Sequence, residues 1–434
     1  MATETYRLAV PSERTQEPQP TSKASERTIF NNCYISYGLP FQDAVAKHVE
    51  HTFGASRAYI LASRTLANTT TALRELQDAL QGRVVGVKMG LKAHTSWDDI
   101  LSMKRDCEEA NVDVIITLGG GSLTDAAKLL SLVLANDVNK SADFLTKLDV
   151  VKHDALSKPD GFKFTAKPPR VPVICVPTTL SAGEYTFAAG ATEDATNKKY
   201  QFLSGEAIKL LVLDEALAAR TTPSNLWIMS GFRAIDHAVE GYVSPLANAA
   251  TEEHALAGMK LLIPSLLRAR ADEHGEDIEA RHLGQMGAIE GIAAVFRIYT
   301  PCGASHAIGH MLGPFGVGHG ETSAILLPAV CIYNAKHGAN AERQRALVDA
   351  LWEVEEVRAL GAKAGFEKEV ELGVLLRALT RELGLPTSLK EVGVEGEKVH
   401  QLAEFSLLDP WLATNPVPLS EKEHVLELLK LVIG

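Results

Sequence analysis

Three histidines lie close together in residues 301–330, a segment rich in glycine and almost free of charge. His306 and His310 are four residues apart, so on a helix they would lie on one face, about one turn apart. His319 follows after a glycine-rich loop. Such imidazoles can bind a divalent metal ion or transfer protons beside a substrate. They can also merely cap and pack helices, but their spacing and the glycines around them, which let backbone approach a ligand, favour a functional site.

A second candidate site is the turn Gly119-Gly120-Gly121-Ser122, which follows an apolar run and precedes an amphipathic helical pattern. Three glycines at a helix N-terminus leave backbone N–H groups accessible, and the helix dipole favours an anion there. The turn therefore predicts a pyrophosphate site, with Ser122 capping the helix. The alternative is a tight turn without a ligand. A second polar turn, residues 177–184, follows another apolar run, and two such turns at one sheet edge would hold a dinucleotide from both sides.

Short apolar runs alternate with helical patterns between residue 30 and about residue 215. This alternation predicts a parallel β-sheet covered by helices, with ligands at the carboxyl ends of the strands. The predicted strands are residues 57–62, 83–87, 113–118 and 171–176. Beyond Thr222-Pro223-Ser224, which resembles a helix start, the pattern is helical almost throughout. We therefore expect three parts: a disordered leader (1–29), an α/β dinucleotide-binding domain (30–207) and an all-helical catalytic domain (208–434).

The composition excludes several classes of protein. A net charge of −11 argues against a nucleic-acid partner, which would require basic patches. No apolar run approaches the roughly 20 residues that span a bilayer. The five cysteines are dispersed and form no CxxC motif, which favours reduced thiols in the cytoplasm over disulfides or a thiolate zinc site. We expect a cytoplasmic enzyme that acts on a small molecule.

Four segments resemble the iron-containing (group III) alcohol dehydrogenase superfamily, which also contains the maleylacetate reductases. They are GGGSLTDAAK (119–128), PTTLSAGEYT (177–186), GFRAIDHAVEGYVS (231–244) and residues 305–330, in the order and at the spacing of that family. The resemblance implies a dehydroquinate synthase-like fold, with a nucleotide-binding α/β domain, a helical domain and an active site in the cleft between them. It also implies hydride transfer between NADH or NADPH and a carbonyl or alcohol, and a homodimer.

The resemblance also implies which residues would bind a metal ion. Metal-dependent members use an aspartate and a histidine four residues later, together with two further histidines; the three histidines correspond to His237, His306 and His319. In this sequence Arg233 stands in place of the aspartate. A guanidinium stays protonated and has no lone pair to donate, so it cannot be a ligand and would repel a cation. Asp236 is a poor substitute, because adjacent residues point roughly 100° apart around a helix.

We therefore expect a metal-independent enzyme that is similar to maleylacetate reductases. Three further details resemble that group: the length of segment 177–186, the HGET sequence at 319–322, and the ATNP sequence at 413–416. Val417 then stands where those reductases carry arginine, and arginine at position 233 is not usual among them. The substrate therefore stays open.

Without a metal ion, fixed positive charges and hydrogen-bond donors must stabilise the substrate oxygen. Arg233 and the four histidines His237, His306, His310 and His319 are the candidates, with protonated His310 or His306 delivering the proton. Arg233 also suits a substrate that carries a carboxylate, since a guanidinium binds carboxylates through two parallel hydrogen bonds. In the alternative interpretation Arg233 turns outward, pairs with Glu240 or Asp236, and takes no part in catalysis.

The predicted cofactor site extends the glycine turn. Asp125 lies on the helix that follows the turn, and the resemblance adds further residues around the phosphates and the nicotinamide ribose: Thr178, Thr179, Ser181, Thr186 and Lys199. Ser63 stands at the end of the first strand, where the family usually carries an aspartate that selects NAD. Arg64 follows and is suited to a 2′-phosphate, so we expect the enzyme to accept NADPH, alongside NADH.

Two other functions stay open at this point. One is a metal-dependent alcohol or hydroxyacid dehydrogenase with altered ligands. The other is a nucleotide-binding relative that has lost its redox chemistry; the intact glycine turn and the four histidines argue against it.

Overall fold

The computed structural model describes residues 3–11, 29–91, 95–152, 162–272, 274–297 and 299–434. These residues form two compact units, the first ending at Thr222 and the second running from Pro223 to Gly434. In the described ranges all β-strands belong to the first unit, and the second is helical. No helix of the described residues combines the length and the apolar character needed to cross a bilayer. The predicted α/β plus all-α architecture is confirmed.

The first unit contains a seven-stranded sheet and a separate two-stranded sheet. Its strands are β1 (Thr5–Leu8), β2 (Tyr34–Tyr37), β3 (Ala58–Ala62), β4 (Val84–Met89), β5 (Val114–Gly119), β6 (Val173–Pro177), β7 (Ala188–Thr192), β8 (Lys199–Leu203) and β9 (Ile208–Leu213). The large sheet has the order β1-β2-β9-β6-β5-β3-β4, with only the β1–β2 pair antiparallel. β7 and β8 form the small antiparallel sheet.

Helices follow most of the parallel strands. They are α1 (Phe41–Lys47), α2 (Arg64–Thr69), α3 (Ala72–Ala79), α4 (Trp97–Glu109), α5 (Gly121–Ala135), α6 (Ser141–Lys147) and α7 (Glu215–Thr221). Every residue of β3, β5 and β6 is buried. This burial explains why these strands are apolar on both faces and could be predicted from continuous apolar runs.

Two predicted boundaries differ from the structure. β9 lies between β2 and β6 in the large sheet, so the division falls after Thr222 and not between residues 207 and 208. The predicted disordered leader contains an ordered strand, because β1 pairs with β2 and the Tyr6 ring stacks on the Tyr34 ring at 4.8 Å. Residues 12–28 of that leader lie outside the described residues.

The second unit is built from ten helices in the described ranges. They are α8 (Ser224–Val243), α9 (Ala249–Ala271), α10 (Ile278–Phe296), α11 (Ala304–Leu312), α12 (His319–Lys336), α13 (Ala341–Leu351), α14 (Glu355–Ala364), α15 (Leu372–Glu382), α16 (Glu397–Ser406) and α17 (Lys422–Leu429). Glycines let α8, α9 and α10 approach closely. A Cβ atom on Gly258 would lie 2.8 Å from the Gly291 nitrogen, and one on Gly291 would lie 2.8 Å from the Ala234 oxygen. This close packing fixes α8, the helix that carries Arg233 and His237.

Candidate functional site

The glycine loop, Gly119–Ser122, joins the carboxyl end of β5 to the start of α5. Gly119 has a φ of +144°, a conformation that residues with a side chain rarely adopt. In the register of β5 with β6, Gly119 lies opposite Pro177, and the Thr178 N–H donates to the Gly119 oxygen at 3.2 Å. The two polar turns are therefore neighbours at the carboxyl edge of the sheet, as the sequence predicts.

Hydroxyl side chains from the second turn lie against the glycine loop. A Cβ atom on Gly120 would be 3.3 Å from the Thr179 methyl carbon, and one on Gly121 would be 3.0 Å from the Ser181 Cβ. The hydroxyl oxygens of Thr179 and Ser181 are 3.0 Å apart. Bare N–H groups at the start of α5, together with these hydroxyls and the exposed Ser122, are suited to hold a pyrophosphate.

Lys128 fixes the second turn from inside the unit. Its buried ammonium donates to the Gly183 oxygen, to Thr186 Oγ1 at 3.0 Å and to the Ala188 oxygen at 2.8 Å. Burial lowers the pKa of Lys128. Lys128 therefore supports the turn that carries Thr186.

Asp125 of α5 and Lys199 of β8 lie together beside Gly190 of β7. Asp125 Oδ2 accepts a hydrogen bond from the Gly190 N–H at 3.1 Å. A Cβ atom on Gly190 would be 3.1 Å from Lys199 Cε and 3.4 Å from Asp125 Oδ2. Asp125 is half-buried and Lys199 is exposed, so both retain contact with solvent.

Ser63 and Arg64 lie at the same edge of the sheet. The Ser63 N–H donates to the Leu118 oxygen at 2.9 Å, and the Ser63 Cβ would lie 2.9 Å from a Cβ atom on Gly119. Arg64 is the exposed first residue of α2. Its side chain passes over Gly90, where an added Cβ atom would be 2.8 Å from Arg64 Nε.

In the second unit, one face of α8 carries four polar residues: Arg233, Asp236, His237 and Glu240. Arg233 does not turn outward, since only 14% of its side chain is exposed. Its Nη1 donates to Ser323 Oγ of α12 at 3.1 Å and to Asp236 Oδ2 at 3.3 Å. The pairing with Asp236 that belonged to the alternative interpretation is present, but inside a mostly buried cluster of charges.

The two carboxyl groups of this face are buried. Ser323 Oγ donates to Asp236 Oδ2 at 2.5 Å, and Asp236 Oδ1 has no hydrogen-bond partner. Glu240 accepts hydrogen bonds from the Ser305 N–H at 2.8 Å and the Gly303 N–H at 3.0 Å, at the start of α11. Burial raises the pKa of both carboxyl groups, while Arg233 lowers that of Asp236.

His237 and His306 lie beside these carboxyl groups, with ring centroids 4.6 Å apart. His306 Nδ1 is 2.7 Å from Glu240 Oε2, while His306 Nε2 and His237 Nδ1 are buried without a hydrogen-bond partner. Burial and the charge of Arg233 lower the pKa of both histidines well below its usual value. A neutral imidazole cannot donate a proton in the way a protonated one does. The lowered pKa disfavours His306 as the acid, and His310 is the other candidate that the sequence predicts.

His310 is held by a residue that sequence reasoning missed. Its Nδ1 is 2.8 Å from Asp409 Oδ2, and 27% of its side chain is exposed. The Trp411 ring lies next to it. The Trp411 ring centroid is 5.4 Å from the His310 ring centroid and 5.9 Å from the His306 ring centroid. The ATNP sequence (413–416) drew attention to this segment only through the family resemblance. The spacing of residues in the sequence did not predict that Asp409 or Ser323 belongs to the site. His319, the first residue of α12, is exposed.

Among the described residues, the three predicted histidines His237, His306 and His319 do not form a group of donor atoms within 4.8 Å of one another. Among the described residues, the group of three possible ligands whose donor atoms lie within 4.8 Å of one another is Glu240, Cys302 and His306. Glu240 already accepts hydrogen bonds from backbone N–H groups and lies 2.7 Å from His306 Nδ1, whereas His306 Nε2 and His237 Nδ1 have no hydrogen-bond partner in the described ranges. The permanent charge of Arg233 lies in the same cluster and would repel a second cation.

Comparison with known proteins adds independent findings. The family model "Iron-containing alcohol dehydrogenase" matches residues 41–215, and "Fe-containing alcohol dehydrogenase family, C-terminal" matches residues 227–433. The chain is 36% identical to dehydrogenase FUM7 of Gibberella moniliformis, over 91% of this chain and 95% of that protein. It is also 36% identical to dehydrogenase ALT3 of Alternaria alternata, over 87% and 99% of the two chains.

Solved structures share the fold at lower identity. A maleylacetate reductase from Agrobacterium tumefaciens superposes with a TM-score of 0.69 at 22% identity, over 96% of this chain and 97% of that chain. A sulfoacetaldehyde reductase from Bifidobacterium kashiwanohense, solved with NAD+, superposes with a TM-score of 0.74 at 19% identity, over 96% and 98% of the two chains.

Proposed function

The chain belongs to the iron-containing alcohol dehydrogenase family, and from this premise we propose that it is a metal-independent, NAD(P)H-dependent reductase of a carboxylate-bearing carbonyl compound. In this it would be similar to maleylacetate reductases. The observation that carries the proposal is Arg233, a permanent cation in the buried cluster of α8, α11 and α12. Metal-dependent relatives are expected to bind their cation with an aspartate at this position.

The charge of Arg233 suits the chemistry of carbonyl reduction. As hydride reaches the carbonyl carbon, negative charge develops on the oxygen, and a fixed cation stabilises that charge. Arg233 uses Nη1 to bond Ser323 and Asp236, and its remaining N–H groups form no hydrogen bond with the described residues. Those groups are available to the substrate's oxygen or carboxylate.

His310 is the proton donor in this proposal. A bound dihydronicotinamide would supply the hydride to the carbonyl carbon, and His310 would give the proton on its Nε2 to the carbonyl oxygen. The products are an alcohol, NAD(P)+ and a neutral imidazole. Because the side chain is 27% exposed, solvent can return the proton.

The first unit would supply the cofactor site. The glycine loop, Thr178, Thr179 and Ser181 would hold the pyrophosphate, and Ser63 with Arg64 would accept the 2′-phosphate of NADPH. NADH, which lacks that phosphate, would bind to the same residues.

The proposal is tested by following NADPH and NADH oxidation with maleylacetate-like keto acids, before and after dialysis against a chelator. We expect unchanged activity and substoichiometric metal content. The methyl ester of each acid is the matched substrate, and it should react about tenfold or more slowly, because a neutral ester cannot form the paired, charge-assisted hydrogen bonds of a carboxylate with Arg233. Activity that a chelator abolishes and zinc or iron restores would refute metal independence.

A second candidate is a metal-dependent dehydrogenase with altered ligands. It is favoured by the grouping of Glu240, Cys302 and His306 within 4.8 Å of one another. Stoichiometric iron or zinc that is lost in Cys302→Ser, together with the activity, would support it.

A further inference from the structure

We propose that Asp409 is a positioning residue that fixes the tautomer and orientation of His310, an inference that rests on the proposed role of His310 as proton donor. The two residues are separated by almost one hundred positions in the chain, yet His310 Nδ1 and Asp409 Oδ2 are 2.8 Å apart. Asp409 would act on the reaction only through His310.

Asp409 is itself held in one orientation. Its side chain is almost completely buried, and its second oxygen, Oδ1, accepts a hydrogen bond from the Trp411 N–H at 3.0 Å. The Trp411 ring also lies against the His310 ring, with centroids 5.4 Å apart. The imidazole is therefore fixed at one nitrogen by a carboxylate and on one face by an indole.

The same segment also fixes the other end of α11. Thr414 Oγ1 donates to the Cys302 oxygen at 2.6 Å, and Asn415 Oδ1 accepts from the Ala304 N–H at 3.2 Å. Residues 409–415 therefore hold α11 both at its start and near its end at His310. This arrangement indicates that the segment as a whole orients the helix that carries the imidazoles.

The chemical consequence follows from the two ring nitrogens. A carboxylate can only accept a hydrogen bond, so Asp409 requires a proton on Nδ1 and leaves Nε2 as the nitrogen that gives up and regains the transferred proton. His310 Nε2 has no hydrogen-bond partner among the described residues. In the absence of Asp409 the proton can lie on either nitrogen, and part of the enzyme would hold the wrong tautomer.

The decisive variant is Asp409→Asn. Asparagine keeps an oxygen to accept from the Trp411 N–H, but it presents an NH2 group to His310 and therefore favours a proton on Nε2. We expect kcat to fall by about 10- to 100-fold, with KM and the dinucleotide Kd changed by no more than about twofold. Asp409→Glu, which restores a carboxylate, should recover part of the loss.

Three measurements separate positioning from general damage. Nitrogen-15 NMR of the His310 ring should show a proton on Nδ1 in the neutral wild-type side chain and on Nε2 in Asp409→Asn. In a His310→Ala background, Asp409→Asn should change kcat by less than about twofold, since the residues act as one unit. Glu4→Gln removes a comparable contact, Glu4 Oε1 to His48 Nε2 at 2.7 Å in the first unit, and should leave kcat unchanged.

The outcomes distinguish this inference from the proposed function. If His310→Ala retains wild-type kcat, His310 is not the proton donor and the proposed function loses its acid. If His310→Ala loses activity but Asp409→Asn does not, the positioning role alone is overturned. An equal loss from Asp409→Asn in both backgrounds also overturns it, because the effect would then not pass through His310.

Discussion

The glycine loop and the charged cluster around Arg233 differ in what they are made of. The glycine loop presents mainly backbone N–H groups, and it requires residues without a side chain at Gly119, Gly120 and Gly121. The charged cluster is built from buried side chains on three helices, with Arg233, Asp236 and Glu240 on α8, His306 on α11 and Ser323 on α12. One site is set by shape and the other by a balance of charge.

This difference bears on Arg233, which stands where the family pattern leads us to expect an aspartate. In the glycine loop any substitution adds a Cβ atom, which would meet Ser63 and Leu123 at Gly119, Thr179 at Gly120 or Ser181 at Gly121. In the charged cluster a single substitution can reverse a charge while the helices stay in place. Arg233 is accommodated because Asp236 and Ser323 accept its hydrogen bonds. A charge-based site can therefore change its chemistry while the fold persists.

The largest effect is expected from Arg233→Met, which keeps the length of the side chain and removes its charge. We expect kcat to fall by about 100- to 1,000-fold, because the developing oxyanion loses its fixed cation. The dinucleotide Kd, measured by fluorescence titration, should change little, because the residues proposed to hold the pyrophosphate and the 2′-phosphate do not include Arg233.

Arg233→Lys is the matched control for this variant. It keeps the charge but not the planar fork, so it should recover only part of the activity. A kcat for Arg233→Met within about threefold of wild type would contradict the proposed role and support the alternative in which Arg233 takes no part in catalysis.

A smaller and opposite pattern is expected in the glycine loop. In Gly121→Ala the added Cβ atom would lie 3.0 Å from the Ser181 Cβ and would also crowd the predicted pyrophosphate position. The dinucleotide Kd should rise about tenfold, equivalent to about 1.4 kcal/mol, with kcat at saturation nearly unchanged. Gly313→Ala is the control, since a Cβ atom there meets nothing within 4 Å. A fall in kcat without a change in Kd would contradict the assignment.

The elements that local patterns determine could be predicted from the sequence. Strands β3, β5 and β6 are buried on both faces, so their continuous apolar runs are diagnostic, and the glycine loop follows β5 directly. His306 and His310 lie on one helix, as their spacing predicts. These features depend only on neighbours in the chain.

Features that depend on distant partners could not be predicted. The strand β9 belongs to the large sheet because it pairs with β2 and β6, partners that lie far from it in the chain. Ser323 and Asp409 reach Arg233 and His310 across 90 and 99 positions of the chain. Burial lowers the pKa of His306, and burial at a helix interface is a property of the folded unit.

The smallest effect is expected at the predicted 2′-phosphate site. Arg64→Leu should lower kcat/KM for NADPH by about fivefold, a small effect because an exposed guanidinium is screened by solvent. The kcat/KM for NADH should stay unchanged, because NADH lacks the 2′-phosphate. Arg57→Leu, an exposed arginine before the opposite end of β3, should alter neither value. Equal losses with both cofactors would show that Arg64 does not contact the 2′-phosphate. A selective loss would mean that both units depart from the family in the same way, with Ser63–Arg64 and Arg233 each replacing an expected aspartate by a site that attracts negative charge.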